Sequence, residues 1–324
     1  MGFELWLLKQ TSITNITPLI GNINWRGNID ELGDEISFDI AFNDTRHFPK
    51  NPCELGDIVI LKNDNNEITR GIIVEESKSG RDPIGYVAFD FAFYLNKSNA
   101  VYQFKKLSAD QCIKKILKDF NIPFGSIASM TTKIDKIFND KLVSDIIREI
   151  IKLEEQKKGV KFLMEMRQGK LYIERQKDLI IKGAFKLFEI GPNIDVTSAI
   201  SNPMKKRSIG EMINSIQVVS NDKVVFKKEN TAMLNKYGRL QKVVTLDENE
   251  KLTAKQVAQN ELNELSKVVE EVSLDLMGDY RFRAGRLFEV SEPLTGIKGT
   301  YLIKDVNHTI SNGIHQMSLG LEAR

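Results

Sequence analysis

The sequence predicts an α+β chain in which two antiparallel β units flank a small α/β domain. Three observations predict it. First, a glycine-opened strand pair occurs near each end. Gly56 opens Gly56-Asp57-Ile58-Val59-Ile60-Leu61, and Gly71 follows fifteen residues later; Gly285 opens the late copy, and Gly299 follows fourteen residues later. Second, a matching segment precedes each pair. Leu32-Gly33-Asp34-Glu35 leads into a strand ending at Asn43-Asp44, and Ile209-Gly210-Glu211-Met212 leads into one ending at Asn221-Asp222. Recurrence in the same order argues for internal duplication. Third, the apolar spacing changes from period two to the helical period near Leu107.

In chain order, residues 1–104 read as β. Phe3–Leu8 is the first strand. Ile36 to Phe42 alternates, with Ile36, Phe38, Ile40 and Phe42 on one face and Ser37, Asp39 and Ala41 on the other. A proline-bearing loop from Arg46 to Pro52 precedes the Gly56 strand. Asp64-Asn65-Asn66 and Gly80 to Gly85 are turns, and Tyr86–Leu95 reads as an aromatic strand containing Phe91, Phe93 and Tyr94. Five short strands at such intervals favour a small barrel or sandwich.

Residues 105–192 read as the α/β domain. Ser108 caps a helix over Ala109 to Phe120, with Ile113, Ile116, Leu117 and Phe120 on one face. A second helix spans about Lys141 to Lys157 and stops at Gly159. Val160–Arg167 and Lys170–Arg175 form a hairpin about Gln168-Gly169, and the boundary falls near Gly191-Pro192.

Residues 193–324 read as the second β unit. Strands are expected at Ile194–Ile200 and Met212–Ser220, followed by a long helix over 254–272 capped by Thr253. The closing stretch from Gly285 to Leu321 reads as four short strands: Arg286–Val290, Gly299–Val306, His308–Ile310 past a kink, and His315–Leu321. Gly296, Gly299 and Ser311-Asn312-Gly313 punctuate them.

The 324 residues suffice for two or three domains, and 41% hydrophobic with 28% charged residues is ordinary globular composition. A net charge of +2 gives no strong pull toward nucleic acid or membrane. No apolar run approaches membrane-spanning length, and the N-terminus reads as a strand rather than a secretory signal. Two cysteines, Cys53 and Cys112, without motif spacing fit a reducing cytoplasm better than a disulfide scaffold.

No catalytic chemistry emerges. Nucleophile-elbow, zinc-protease, P-loop and dinucleotide fingerprints are absent from the sequence. His308 and His315 flank a predicted hairpin; with His47 they are the only histidines, too few for a zinc site without further converging ligands. The adjacent carboxylates Glu75-Glu76 and Glu154-Glu155 read as solvent-facing. Lys205-Lys206-Arg207 is the one compact basic patch and reads as a solvated loop, the alternative being a phosphate or acidic-surface contact. Phe91, Phe93 and Tyr94 read as core before ligand stacking. No catalytic residue, cofactor or metal site is expected.

Three stretches carry a resemblance over nearly the whole chain: ELGDIVILKNDNNEITRGIIVEES, DFAFYLNKSNAVYQFKKLSADQCIKKILKDFNIP and GDYRFRAGRLFEVSEPLTGIKGTYLIKDVNHTISNGIHQMSLGL. In these patterns of turns and hydrophobics the chain resembles the baseplate hub proteins of contractile phage tails and phage-tail-like bacteriocins. This is the late-control-D-like family of defective prophages of Gram-positive bacteria.

The resemblance implies two tube-like antiparallel β-barrels around the α/β domain. It also implies a structural, non-enzymatic hub that joins the sixfold tail tube to the threefold central spike as a homotrimer. Implied partners are the tail tube protein, spike protein, baseplate wedge proteins and tape measure, with no small-molecule substrate and no membrane. The chain would assemble in the cytoplasm and then join the particle. Gly56, Gly71, Gly285 and Gly299 are the expected turn positions, and Ser37, Asp39 and Ala41 the expected lumen face. The chain ends at Arg324 without an appended lysozyme, peptidase or LysM segment, so cell-wall cutting is expected of another polypeptide. The alternatives are a tail-associated cell-wall hydrolase and the hub of a noncontractile tail tip.

Overall fold

The computed structural model describes residues 2–187, 199–246 and 253–323. The chain forms two compact units, residues 1–203 with 273–324, and residues 204–272.

The first unit opens with β1 (Phe3–Leu8), β2 (Ile13–Asn15), β3 (Ile20–Asn28), β4 (Glu35–Ile40), β5 (Ile58–Asn63), β6 (Asn66–Ser77) and β7 (Ile84–Phe89). Leu5 and Leu7 of β1 share one core with Trp25 of β3, Phe38 of β4 and Tyr86 of β7. Strands far apart in the sheet order thus enclose the same apolar interior, because alternation puts one face of each strand inward. Burying each such side chain stabilises the unit by roughly 1.5–3 kcal/mol. Phe42 lies past the end of β4 and is exposed. The strand expected over Tyr86–Leu95 ends at Phe89.

The chain then enters α1 (Ala92–Lys97), β8 (Asn99–Ser108), α2 (Ala109–Asp119), β9 (Phe124–Ile127), β10 (Lys133–Leu142), α3 (Val143–Lys158), β11 (Phe162–Arg167) and β12 (Lys170–Arg175). Asp90 starts the turn into α1: its carboxylate accepts the Ala92 N–H at 2.9 Å. Phe91 therefore packs against the core of this α/β block rather than a barrel interior, and Tyr94 is exposed. Ser108 occupies the N-cap of α2, but its side chain caps no backbone group. The Thr132 carbonyl accepts the Ala109 N–H at 2.9 Å instead. Gly159, at φ +67°, ends α3 as expected of a left-handed cap.

β13 (Ile180–Leu187) and β14 (Ala199–Ser208) follow. The expected boundary at Gly191-Pro192 and residues 194–198 of the expected strand lie outside the described residues. Unit two comprises most of the next stretch: β15 (Ser215–Ser220), β16 (Lys223–Glu229), α4 (Thr231–Tyr237), β17 (Gln241–Thr245) and α5 (Ala254–Leu265). β15 is central, antiparallel to β16 and parallel to β17. Ile216 and Val218 pack under Val257 and Leu262 of α5. Thr253 and Gln256 form a reciprocal capping box.

The helix expected over 254–272 stops at Leu265, and Val269–Met277 is strand β18. Val272, Leu274 and Leu276 are buried at period two, and the β-branched run Val268-Val269 suits a strand. β19 (Leu287–Glu292), β20 (Ile297–Ser311) and β21 (Ile314–Ala323) close the chain. Three strands replace the four expected, because the chain passes from Gly299 through Ile310 as one long strand with a register shift between Ile303 and Asp305.

The sheet order contains one pattern twice. β1-β5-β6-β7-β4-β3 in the first half matches β13-β19-β20-β21-β18-β14 in the second, strand for strand in chain order. The additional β19–β20 pairing makes the second set a closed circuit of hydrogen-bonded neighbours; in the first set no β1–β3 pairing is present among the described residues. β13 runs parallel to both neighbours, so the second set is not purely antiparallel as expected.

The backbone repeats in detail. The Gly56 N–H donates to the Ile73 carbonyl at 2.9 Å and the Gly285 N–H to Ile303 at 2.8 Å; the return bonds, Ile73 to Asp57 and Ile303 to Arg286, are both 2.9 Å. A register shift follows each time, between Ile73 and Glu75 and between Ile303 and Asp305. Ile72-Ile73-Val74-Glu75 therefore corresponds to Leu302-Ile303-Lys304-Asp305. By this register Gly71 corresponds to Tyr301, and Gly299 to Thr69. Aligning Gly71 with Gly299 is wrong by two residues. The match of Leu32-Gly33 with Ile209-Gly210 also fails: β4 corresponds to β18, and Gly210 lies outside the repeat, in unit two.

Candidate functional site

The most concentrated chemistry in the described residues is a buried ionic junction in the first unit, where the first β set, the α/β block and the second β set meet. Asp34 comes from the β3–β4 loop, Glu165 from β11, and Arg283 and Arg286 from the segment ahead of β19. Arg283 donates to Asp34 Oδ2 at 2.5 Å and to the Met166 carbonyl at 2.7 Å, and lies 3.3 Å from Glu165 Oε2. Its guanidinium is 5.1 Å from the Trp25 ring centroid, within cation–π range. Trp25 Nε1–H donates to Asp34 at 3.0 Å. Arg286 and Arg167 pair with Glu165 at 2.8 and 3.3 Å, and Arg167 also pairs with Glu174.

The sequence context explains the convergence. The Arg281-Phe282-Arg283-Ala284-Gly285-Arg286 segment crosses the junction just before Gly285 turns the chain at φ +87° into β19. A Cβ at Gly285 would lie 2.2 Å from Leu163 Cδ1, so glycine also permits close packing against β11.

Burial pushes the Asp34 carboxyl upward against the pull of Arg283. Burial and the neighbouring Asp34 charge push Asp90 up to about 7. Arg283 is fully enclosed, yet Asp34, Glu165 and Asp90 outweigh that burial and hold its pKa above the ordinary value. Burial lowers that of Arg286.

Behind Trp25 lies a histidine pair. His308 stacks on the indole, centroids 4.3 Å apart and 11° from parallel. Its Nε2 is 2.9 Å from the Phe282 carbonyl, and its Nδ1 is 3.0 Å from His315 Nε2. A carbonyl only accepts, so His308 carries its proton on Nε2 and accepts the His315 Nε2–H at Nδ1. Burial lowers the two pKa values to about 3 and about 4.

The junction encloses little free space. The cavity between Asp34, Glu165 and Arg283 has a volume of about 20 Å³, room for one water. Glu76, Glu154 and Glu155, three of the carboxylates singled out in the sequence, have structural partners. Glu76 accepts the Tyr86 hydroxyl at 2.5 Å; Glu154 is buried and accepts the Thr132 N–H at 2.8 Å; Glu155 accepts the Phe162 N–H at 2.8 Å. Lys205 and Arg207 pair with Glu270, and Lys206 with Glu271, so the basic patch meets its own acidic strand. No metal-holding group of His, Cys, Asp and Glu occurs among the described residues. Cys53 and Cys112 are free, buried thiols. No described helix is long and apolar enough to cross a membrane.

Gly56 and Gly285 stand in equivalent turns, at φ +89° and +87°. Gly299 lies within β20 at φ +123°, opposite Val290. Gly71 lies within β6, where a Cβ would meet the Phe89 carbonyl oxygen at 2.7 Å.

Ser37 and Asp39 lie on β4 facing away from the apolar core, and Ala41 is exposed just beyond the strand. The structure extends their face. Ser37 is opposite Asn24 on β3, Asn24 opposite Thr309 on β20, and Thr309 opposite Gln316 on β21. The Thr309 hydroxyl donates to Asn24 at 3.1 Å, and the Ser318 hydroxyl to Asp275 at 2.6 Å. A polar band thus runs from the first β set into the second. Sequence reading found its beginning on β4; neither the ionic junction nor the rest of the band has a local motif.

Over residues 23–322 the chain matches the family described as YQBQ-like. It is 28% identical over 271 residues to the phage-like element PBSX protein XkdQ of Bacillus subtilis (strain 168), spanning 82% of this chain and 80% of that protein. Among solved structures, the prophage MuSo2 43 kDa tail protein from Shewanella oneidensis is similar with a TM-score of 0.72 and 11% identity, covering 98% of each chain. The E. coli c3393 protein is similar with a TM-score of 0.53 and 11% identity, covering 94% of this chain and 73% of its own. It is a component of the type VI secretion system with structural similarity to the T4 bacteriophage tail proteins gp27 and gp5. At such identities these two structures share the fold with this chain.

Proposed function

The chain belongs to the YQBQ-like family, a family of phage tail proteins, and from that premise we propose that it is the baseplate hub of a contractile, tail-like particle. In this reading it is a structural tail component that joins a sixfold tail tube to a threefold central spike. The observation that carries the reading is the repeated strand order: one chain holds two β sets of the same strand order. Three chains would present six such sets as tube-like barrels, with contacts alternating between within-chain and between-chain pairs around a closed ring. The similarity to a protein that itself resembles gp27 and gp5 supports the same reading.

The polar band bearing Ser37, Asp39, Asn24, Thr309 and Gln316 would line the pore. Its amides, hydroxyls and carboxylate give passing material little apolar surface to stick to. The buried ionic junction would keep the two β sets and the α/β block in one orientation under load. Tube protein, spike protein, wedge proteins and tape measure would be its partners. No hydrolase chemistry is assigned, because Glu154 and Glu155 accept backbone N–H groups, Glu76 accepts the Tyr86 hydroxyl, and the junction has no substrate-sized space.

Electron microscopy of an intact tail tip tests the proposal. Three copies in a pseudo-sixfold ring are expected; six copies, or one, would overturn it. Three copies with Asp39 turned away from the pore would overturn the lining alone.

A further inference from the structure

The α/β block carries a surface that the hub reading does not use. Over residues 90–179 there are eighteen basic and twelve acidic residues, although the whole chain has a net charge of only +2. The excess of six positive charges in this block is balanced by an acidic excess elsewhere in the chain. Its exposed feature is the two-stranded sheet of β8 and β10, which has no further strand on either edge among the described residues. Phe104, Ile134 and Phe138 anchor the inner face on the helices. The outer face is open: Val101 is 66% and Ile137 59% exposed, an apolar pair at the centre of the ribbon. Lys105, Lys106 and Lys133 surround it, exposed and without a carboxylate partner among the described residues. Lys136 and Lys141 share one carboxylate, Glu149, which offsets one of their two charges.

The backbone of this ribbon is irregular at two places. Register shifts lie between Ile134 and Lys136 and between Phe138 and Lys141. At each, a non-glycine residue occupies the left-handed region, Lys106 at φ +55° and Asp140 at φ +47°. Bulges of this kind interrupt pairing and re-aim side chains, and such strain persists only where the surroundings hold it.

We propose that the β8–β10 ribbon is a docking site for an extended acidic segment of a partner protein. The segment would lie along the ribbon with apolar side chains on Val101 and Ile137 and carboxylates toward Lys105, Lys106 and Lys133. Charge complementarity selects this occupant. Lysines on open edges repel a second copy of the same ribbon, and an incoming strand of opposite charge gains backbone pairing as well. Nucleic acid fits less well, because the outer face presents neither aromatic rings for stacking nor arginine. The site is independent of pore geometry, so its failure would leave the hub reading intact.

The test measures binding of the full chain to a blocked peptide alternating glutamate and valine, by fluorescence anisotropy at low salt. A lysine–valine peptide and a short DNA duplex serve as competitors. Binding of the acidic peptide alone is expected, weakened about tenfold or more by Lys105→Glu with Lys133→Glu. A comparable loss is expected from Val101→Ser with Ile137→Ser, which leaves the charges in place. All four positions are exposed, and circular dichroism confirms that each variant is folded. No binding, equal binding of the basic peptide, or loss with the charge variant but not the apolar one would overturn the proposal. So would tighter binding of DNA at the same lysines, or self-association of the chain abolished by the same variants.

Discussion

Arg283 is a buried guanidinium whose partners come from two separate parts of the first unit: Asp34 in the β3–β4 loop, and Glu165 with the Met166 carbonyl on β11. A buried ion pair adds little net stability over a well-packed apolar replacement, but removing one partner strands the other charge at a cost of about 3–5 kcal/mol. Arg283→Met is therefore expected to lower unfolding stability by about that amount in urea titration. A loss within the error of a surface substitution would show that the junction is not holding the parts together. The histidines beside it make a pH prediction. His308 and His315 have folded pKa values near 3 and 4, below the ordinary 6.5. Above 6.5 both states are neutral and the pair's stability is fully present; as pH falls toward 4 the unfolded chain takes up protons first and stability is lost. Asp90 acts oppositely. Its folded value near 7 exceeds the ordinary 3.8, so its contribution is present at low pH and lost as pH rises through that range. Between pH 4 and 6.5 the two histidines act against Asp90, and these three groups together leave a net loss of stability on acidification. His308→Gln should remove one histidine's share and flatten the profile; an unchanged profile in urea melts from pH 5 to 7 would refute the assignment.

At the scale of elements, the repeated strand pairs provide a matched comparison. Gly56 and Gly285 share a positive φ and their hydrogen bonds, but only Gly285 is crowded, against Leu163. Gly56→Ala is expected to cost about 1 kcal/mol from the positive φ alone. Gly285→Ala should cost more, and Leu163→Ala should recover part of the difference when combined with it. Equal costs for the two alanines would mean that β11 yields freely to the added methyl. The same elements show how much was legible. The helix stripes of α2 and α3, and the hairpin of β11 and β12, stand out because their periodicity is long and their stop residues local. The strand β18 was hidden inside a helical pattern, since Val268, Val269 and Val272 fit both periods until Leu274 and Leu276 decide for period two.

The whole molecule is a duplicated β architecture with two insertions of different kind. Residues 90–179 separate the two β sets, and unit two leaves the second set between β14 and β18, where the first set has only the short loop 29–34. Unit two has its own core of β15, α5 and their neighbours. Replacing residues 209–268 with a short turn is therefore expected to leave the first unit folded, with one cooperative melt and unchanged near-ultraviolet dichroism. A molten or aggregated product would show that the second β set needs the insertion to close.

The sequence by itself determined the alternation that makes the strands, the apolar stripes of the helices and the glycine-opened turns. Each of these depends on neighbours within about one turn of chain or one hairpin. Only the tertiary structure decided which repeats correspond. The glycines that looked equivalent are two residues out of register, because the equivalence resides in the Ile73 and Ile303 backbone bonds and in the bulges after them. It alone brought Asp34, Glu165 and Arg283 together and carried the polar face from Ser37 to Gln316. The junction contacts and the Asn24–Thr309 link join residues more than a hundred positions apart, and no local pattern encodes which buried charge will meet which.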